Sequence, residues 1–182
     1  MTYIALAVAA LLVAIDQFTK WLAVTYIKPE GTIPLITING KEWLNLNYQE
    51  NAGAAFSILQ NKQLFLIIIT SIVLLAIIVL MLTKRVKKTS YLWAFAIIVA
   101  GGVGNLIDRI MNGFVVDFVD VRIVNFAVFN FADICAVSGA IALFIFVISD
   151  EIKASKSNKA SKISNTDDEE NETKENRNTN NE

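Results

Sequence analysis

The chain has 182 residues, a formal net charge of -1 and a hydrophobic fraction of 54%, with a mean hydropathy of +0.50. That apolar content is high for a soluble domain of this length and indicates a membrane protein. The sequence contains no His, and its one Cys is Cys135. Catalysis by Ser-His-Asp or Cys-His groups, the usual zinc sites and an internal disulfide are therefore excluded, which leaves carboxylates, Lys, hydroxyls and backbone for any chemistry.

Four apolar segments are long enough to cross a bilayer of about 30 Å, which takes roughly 20 helical residues. The predicted spans are residues 4–23, 64–82, 91–107 and 131–149. The first could be mistaken for a secretory signal, but no basic residue precedes it and no small-residue cleavage pattern follows it. We interpret it as a retained span.

Basic residues indicate the orientation, because Lys and Arg in short loops stay in the cytoplasm. One basic cluster lies between the second and third spans and another follows the fourth: Lys84, Arg85, Lys87 and Lys88, then Lys153, Lys156, Lys159 and Lys162. Both termini are accordingly predicted to be cytoplasmic. This leaves two outer segments, residues 24–63 and 108–130.

The outer segments carry strand patterns. Leu44, Leu46 and Tyr48 alternate with polar residues, and residues 119–123 alternate after an Asn112-Gly113 turn signal. We predict a small extracytoplasmic β-platform on an otherwise all-α membrane fold of four transmembrane helices.

The end of the chain differs in composition from the rest. From about residue 155 to residue 182 it is rich in Ser, Asn, Lys, Asp and Glu, with too little apolar surface to offset the entropy of ordering. We predict a membrane domain over residues 1–152 and a disordered, polar cytoplasmic tail over residues 153–182. A docking segment for a cytoplasmic partner is the alternative for the tail.

Ionisable residues near membrane depth are costly and are therefore candidates for function. They fall near the outer ends of three predicted spans: Asp16 and Lys20 in the first, Asp108 and Arg109 after the third, and Asp133 at the start of the fourth. Asp16 and Lys20 are four positions apart and can pair on one helix face. An internal ion pair is favoured over a direct catalytic role for these two residues.

Asp117 and Asp133 are the candidate catalytic pair. They are separated by predicted β-structure and a turn, so only folding can bring them together. Two close carboxylates share one proton, which allows one to act as a base on water while the other acts as an acid. The structural alternative is a helix N-cap for Asp133 and a plain loop carboxylate for Asp117.

Two other motifs contain small and polar residues. In residues 101–109, glycines permit close helix approach, and Asn105 with Arg109 supplies hydrogen-bond donors. In residues 51–57, the small side chains fit a substrate cradle and a tight loop equally well.

These motifs together resemble the bacterial lipoprotein signal peptidases. Five blocks carry the resemblance, in this order: Asp16-Gln17-Phe18-Thr19-Lys20, Asn51-Ala52-Gly53-Ala54-Ala55-Phe56, Gly101-Gly102-Val103-Gly104-Asn105-Leu106-Ile107-Asp108-Arg109, Val115-Val116-Asp117-Phe118 and Phe129-Asn130-Phe131-Ala132-Asp133. The resemblance implies an aspartic endopeptidase that cuts diacylglyceryl-modified prolipoproteins on the amino side of the lipidated cysteine. It implies Asp117 and Asp133 as the catalytic residues. The implied substrate-binding or supporting residues are Asp16, Lys20, Asn51, Gly53, Asn105, Asp108, Arg109 and Asn130.

The expected surroundings follow from the same resemblance. We expect a monomer in the bacterial cytoplasmic membrane, with its active site near the extracytoplasmic face. Its partners would be lipid-modified prolipoproteins and membrane lipid, with no nucleic acid, metal or other cofactor. Two other functions remain open: a small proton-coupled transporter or channel, for which no internal repeat is visible, and a non-catalytic membrane assembly factor.

Overall fold

The computed structural model describes residues 1–53, 62–124 and 126–179, with side chains as far as residue 155. Four of the described helices are long and apolar enough to cross a membrane, which confirms the predicted number of spans. The elements are α1 (Thr2–Leu22), a π-helical segment (Ala23–Ile27), α2 (Lys28–Glu30), β1 (Thr32–Ile38), β2 (Lys41–Asn51), α3 (Gln63–Leu82), α4 (Thr89–Asn112), β3 (Val115–Val121) and α5 (Phe131–Thr179).

The chain divides into two compact units, Met1–Leu143 and Phe144–Glu182. The first unit contains the described strands, α1 to α4 and the beginning of α5, and the second contains the remainder of α5. Helix α5 thus extends helical structure into the segment that we expect to be disordered. A polar helix is marginal on its own in water, so the disorder of residues 153–182 and the boundary after residue 152 stay predictions.

Helix α4 is the centre of the first unit, because it packs against α1 and α3 and also against the start of α5. Glycines permit this close packing. A Cβ added at Gly101 would lie 2.3 Å from the carbonyl oxygen of Ala132, and one at Gly104 would lie 2.5 Å from Oδ2 of Asp16. Small residues at these positions let helix backbones approach one another, as is common in membrane bundles.

The first span is longer than predicted. Helical structure continues past residue 23 through the π-helical segment and α2 and stops at Gly31, whose φ of +78° favours glycine. The reason is packing, since Ala23 and Ile27 are buried against Val116 and Phe118 of β3. The π-helical segment is therefore the part of the first span that packs against the sheet.

The sheet is antiparallel with the order β1-β2-β3, and it confirms the prediction of a small β-platform. The hairpin turn between β1 and β2 is Asn39-Gly40, with φ of 52° and 73°, as in a type I′ turn. The Asn112-Gly113 turn signal marks the connection between α4 and β3, where Gly113 caps the C-terminus of α4 in the left-handed conformation.

Three elements also differ from the sequence-based prediction. Strand β1 was not predicted, because its sequence lacks alternation and includes Pro34. Strand β3 begins at Val115 and not at residue 119, so Asp117 lies within a paired strand and not in a loop. Helix α4 continues past residue 107, which places Asp108 and Arg109 inside the helix.

The contact at Gly101 predicts a specific stability loss. Gly101→Ala should destabilise the protein by roughly 1–3 kcal/mol, because its Cβ would meet backbone that cannot move aside. Gly102→Ala is the matched control, since its Cβ would meet the side chain of Leu74, which can rotate. Thermal unfolding in detergent measures both variants, and equal losses would contradict the proposed close packing of α4 on α5.

Candidate active site

Asp117 lies on β3 in a cavity of about 550 Å³. Gln49 pairs with Asp117 across the strands, and Asn51 pairs with Val115. Because alternate residues of a strand share one face, these four side chains face the same way, and all four line the cavity. Asp117 is only 2% exposed, so its carboxylate is largely removed from water.

Asp133 lies in the first turn of α5, and Asn130 immediately precedes this helix. The backbone N–H of Asp133 donates to Oδ1 of Asn130 at 2.9 Å, and the N–H of Asn130 donates to Oδ2 of Asp133 at 3.1 Å. This reciprocal pair is a capping box. The alternative that Asp133 is itself the N-cap is therefore wrong, because Asn130 occupies that position.

Asn130 connects the two aspartates. Its Nδ2 donates to Oδ1 of Asp117 at 2.6 Å, while its backbone and Oδ1 hold Asp133 in the capping box. The structure thus brings Asp117 and Asp133, hereafter the aspartate pair, to one site although they come from different elements. This is the convergence that the sequence predicts.

Two further amides complete the hydrogen bonds of the aspartate pair. Asn51 Nδ2 donates to Oδ2 of Asp117 at 2.9 Å, and Asn105 Nδ2 donates to Oδ1 of Asp133 at 2.7 Å. Oδ1 of Asn105 accepts from Lys20 Nζ at 2.9 Å and from Asn130 Nδ2 at 3.1 Å. Each carboxylate is therefore oriented by donors at both of its oxygens.

The two carboxylates lie in different electrostatic surroundings. The pKa of Asp117 is raised from its ordinary value to about 6, mainly by burial and also by the negative charge of Asp133, while the amides of Asn51 and Asn130 oppose the rise. Asp133 lies in the first turn of α5, where the helix dipole favours a negative charge. Burial thus favours the protonated form of Asp117.

A second buried cluster contains three charged residues, hereafter the ion triad: Asp16, Lys20 and Asp108. Nζ of Lys20 lies 2.9 Å from Oδ2 of Asp16 and 3.0 Å from Oδ2 of Asp108, and none of the three is more than 3% exposed. Gln17 Nε2 also donates to both carboxylates. The Asp16–Lys20 pairing predicted from their spacing is confirmed, with Asp108 as a third member.

The ion triad is connected to the backbone on both sides of the site. Oδ1 of Asp16 accepts from the N–H of Ala132 at 2.8 Å, and Oδ2 of Asp108 accepts from the N–H of Val116 at 3.0 Å. Ala132 and Val116 each immediately precede a member of the aspartate pair. The ion triad therefore fixes the backbone on which both catalytic candidates lie.

Arg109 reaches the loop that follows β2. Its Nη2 donates to the carbonyl of Gly53 at 3.0 Å, and the N–H of Gly53 donates to Oδ1 of Asn51 at 3.0 Å. Within the described part of the chain, the buried Nε of Arg109 has no hydrogen-bond partner. Residues 54–61 lie outside the described residues, so the choice between a cradle and a tight loop for the small-residue motif stays open.

The structure gathers all ten site residues named from the sequence into these two connected clusters. It also adds Gln17, which bridges the ion triad, and Gln49, which lines the cavity. Gln17 lies inside the first family block, but it carries no charge and was therefore not identified as an ionisable residue near membrane depth. The signal for Gln49 was its strand alternation with Asn51, which becomes informative only once Asp117 is known to lie on the neighbouring strand.

Comparison with known proteins establishes the family. The family model described as Signal peptidase (SPase) II matches residues 8–149. The chain belongs to the signal peptidase II family. Among similar proteins named lipoprotein signal peptidase, that of Caldanaerobacter subterraneus is 46% identical over 139 residues, covering 76% of this chain and 92% of the relative. The one from Brevibacillus brevis is 39% identical over 143 residues, covering 79% and 93%.

Solved structures agree with this assignment. The chain is similar to a bacterial membrane enzyme solved by the in meso method at 2.3 Å, with a TM-score of 0.74 and 33% identity over 81% of this chain and 88% of the other. A second such enzyme, solved at 1.9 Å, gives a TM-score of 0.67 at the same identity and covers 80% and 93%. The resemblance to lipoprotein signal peptidases stated from the sequence is confirmed.

The hydrogen bond from Asn51 predicts a shift in proton affinity. Asn51→Ala removes a donor that stabilises the charged carboxylate, so the pKa of Asp117 should rise above its value of about 6. The limb of the pH–rate profile that reports this group should move to higher pH by roughly one unit or less, the size expected for one hydrogen bond. A shift to lower pH would contradict the assigned contact.

Proposed function

We propose that this signal peptidase II family member removes the signal peptide from diacylglyceryl-modified prolipoproteins, cutting on the amino side of the lipidated cysteine. The observation that carries the proposal is the aspartate pair, held by one bridging asparagine beside a cavity in an apolar helical protein. The names of the relatives support the substrate class. The reaction is hydrolysis of a peptide bond, with Asp117 and Asp133 as the catalytic residues.

The proposed mechanism uses water and the shared proton of the aspartate pair. Asp133, in the first turn of α5, acts as the base that takes a proton from the attacking water. Asp117, on which burial favours the protonated form, donates its proton to the oxygen of the scissile carbonyl. The tetrahedral intermediate then collapses: Asp133 gives the proton that it took from water to the leaving nitrogen, the C–N bond breaks, and Asp117 regains a proton from the diol hydroxyl, so that the starting state is restored.

The surrounding polar residues have positioning roles in this mechanism. Asn51, Asn105 and Asn130 orient the carboxylates through the contacts described above. Arg109 lines the same cavity, so its positive charge can stabilise the developing oxyanion, and its bond to the carbonyl of Gly53 holds it in place. The ion triad acts one step further away, through the backbone of Val116 and Ala132.

The lining of the cavity supports a lipid-anchored substrate. Its lining includes apolar α5 side chains, namely Ile134, Val137 and Ile141, as well as Asp117 and the β2 amides. A signal peptide and its acyl chains suit the apolar side chains, while the scissile peptide group suits the polar ones. We propose lateral entry from the bilayer, with a monomeric enzyme in the bacterial cytoplasmic membrane and its active site near the extracytoplasmic face.

The aspartate pair provides the main test. Asp117→Asn and Asp133→Asn should each nearly abolish cleavage of a purified lipidated precursor, because Asn keeps the size of Asp but cannot exchange a proton. The double variant should be little worse than either single one, since the two groups act as a unit. Cleavage should continue in the presence of a chelator, because the proposed chemistry uses only water and carboxylates.

Asp120 provides the matched control for these variants. It lies on the same strand, is buried like Asp117 and pairs with Arg122 at 2.7 Å instead of with the site. Asp120→Asn should retain most activity at a similar folded yield. Near-normal cleavage by folded Asp117→Asn or Asp133→Asn protein would overturn the aspartic mechanism. Failure of the parent enzyme to shorten any lipidated precursor would favour a transporter or an assembly factor.

The proposed orientation has its own test. Cysteine labelling in a Cys135→Ser background should report the cytoplasm for positions after Lys88 and after Lys153, and the outside for a position near Glu42. The physical reason is the retention of dense basic clusters on the cytoplasmic side. An external report after Lys88 would contradict the orientation without affecting the catalytic proposal.

A further inference from the structure

Gln49 occupies an unusual place on β2. The register between β2 and β3 shifts between Leu46 and Gln49, and such bulges near active sites redirect side chains. After the shift, Gln49 is directly opposite Asp117 and lines the same cavity. Its neighbour Glu50 contacts Lys28 and Tyr48 instead.

Gln49 also differs from the other polar residues of the cavity in its hydrogen bonds. Five of them are committed to partners within the protein: Asn51 and Asn105 to carboxylates, Arg109 to Gly53, and Asp117 and Asp133 to amides. Ser138 donates to the carbonyl of Cys135. Gln49 has no such partner among the described residues, although its carboxamide carries both a donor and an acceptor. It is therefore available to a ligand.

We propose that Gln49 is a substrate-binding residue that hydrogen-bonds a backbone peptide group of the precursor beside the scissile bond. This inference rests on the proposed function. A peptide group offers one N–H and one C=O, which the carboxamide of Gln49 can match without adding charge next to the aspartate pair. The polypeptide of the precursor is thereby recognised through its backbone, whichever side chains surround the cleavage site.

Strand geometry limits which peptide group Gln49 can reach. Directly opposed residues in an antiparallel pair have Cα atoms about 4.5–5.5 Å apart, and an extended peptide advances about 3.3 Å per residue. With the scissile carbonyl at the aspartate pair, the partner of Gln49 lies within about two residues of the scissile bond. Binding in this way fixes the register of the precursor relative to the catalytic groups.

The test compares Gln49→Met with Glu50→Met in the full-length enzyme acting on a lipidated precursor. Both changes keep an unbranched side chain of similar length, but only the first removes an amide from the cavity. Gln49→Met should raise KM by about 2- to 10-fold, the loss expected for one hydrogen bond, with kcat within about twofold of the parent value. Glu50→Met should change neither constant, because its exposed pair with Lys28 contributes little.

A series of precursors identifies the partner group. Each precursor carries one N-methylated backbone amide or one ester link within two residues of the cleavage site. With the parent enzyme, one of these changes should raise KM. With Gln49→Met the same change should have no further effect on KM, because the enzyme and the substrate would each have lost one half of the same contact. An unchanged KM for Gln49→Met, or full additivity across the series, would overturn the role of Gln49.

The same experiment separates this inference from the proposed function. If Asp117→Asn abolishes cleavage while Gln49→Met behaves as the parent does, the peptidase assignment stands and the binding role is wrong. If the parent enzyme does not cleave the lipidated precursor, both are wrong. A fall in kcat with an unchanged KM would show that Gln49 positions the aspartate pair and does not bind substrate.

Discussion

The burial of Lys20 between two carboxylates is the interaction on which the rest of the structure depends. Removing one charge from water inside a membrane protein costs several kcal/mol, and the attraction within an ion cluster compensates only when every remaining polar atom is also satisfied. The ion triad meets this condition by using backbone N–H groups of Ala132 and Val116 as its outermost donors. The carboxylates of α1 and α4 thus receive hydrogen bonds from the backbone at α5 and β3, the two elements that carry the aspartate pair.

This arrangement explains why small residues surround the site. Oδ2 of Asp16 occupies the space that a Cβ of Gly104 would need, so the charge on α1 can approach α4 only because that position lacks a side chain. Gly101 similarly lets the beginning of α5 lie against α4. Close helix packing and charge pairing therefore depend on each other, and both help to position the elements that carry the aspartate pair.

The sequence predicted the parts of the fold that depend on local composition. The four spans were visible as apolar runs, and the ion pair of Asp16 and Lys20 followed from helical spacing. Strand β1 was not predicted, because Pro34 and the adjacent apolar residues break the alternation of polar and apolar residues. The Asn39-Gly40 pair is a hairpin-turn signal beside this strand. The extension of the first span past residue 23 depends on burial of Ile27 against the sheet, a long-range contact that no local pattern carries.

The sequence indicated which residues belong to the candidate site, but not which hydrogen bonds join them. Carboxylates near membrane depth indicate a functional site because burying their charge costs free energy. A neutral amide such as Gln49 gives no such indication. Likewise, the capping role of Asn130 could not be separated from that of Asp133 without knowing where α5 begins. Long-range hydrogen bonds, such as that between Asn51 and Asp117, depend on strand register, which shifts here at a bulge.

The preference for asparagine around the aspartate pair has a chemical reason. Asn51, Asn105 and Asn130 donate to carboxylates but do not exchange protons near neutral pH. A histidine in their places would add a titrating group that competes for the proton shared in the proposed mechanism, and a lysine would add a positive charge that favours loss of this proton. Because the hydrogen-bond donors to the pair are amides and the charge of Lys20 is matched by Asp16 and Asp108, none of these groups takes up the proton that the proposed mechanism needs. The site can therefore carry out acid–base chemistry in a chain that contains no histidine.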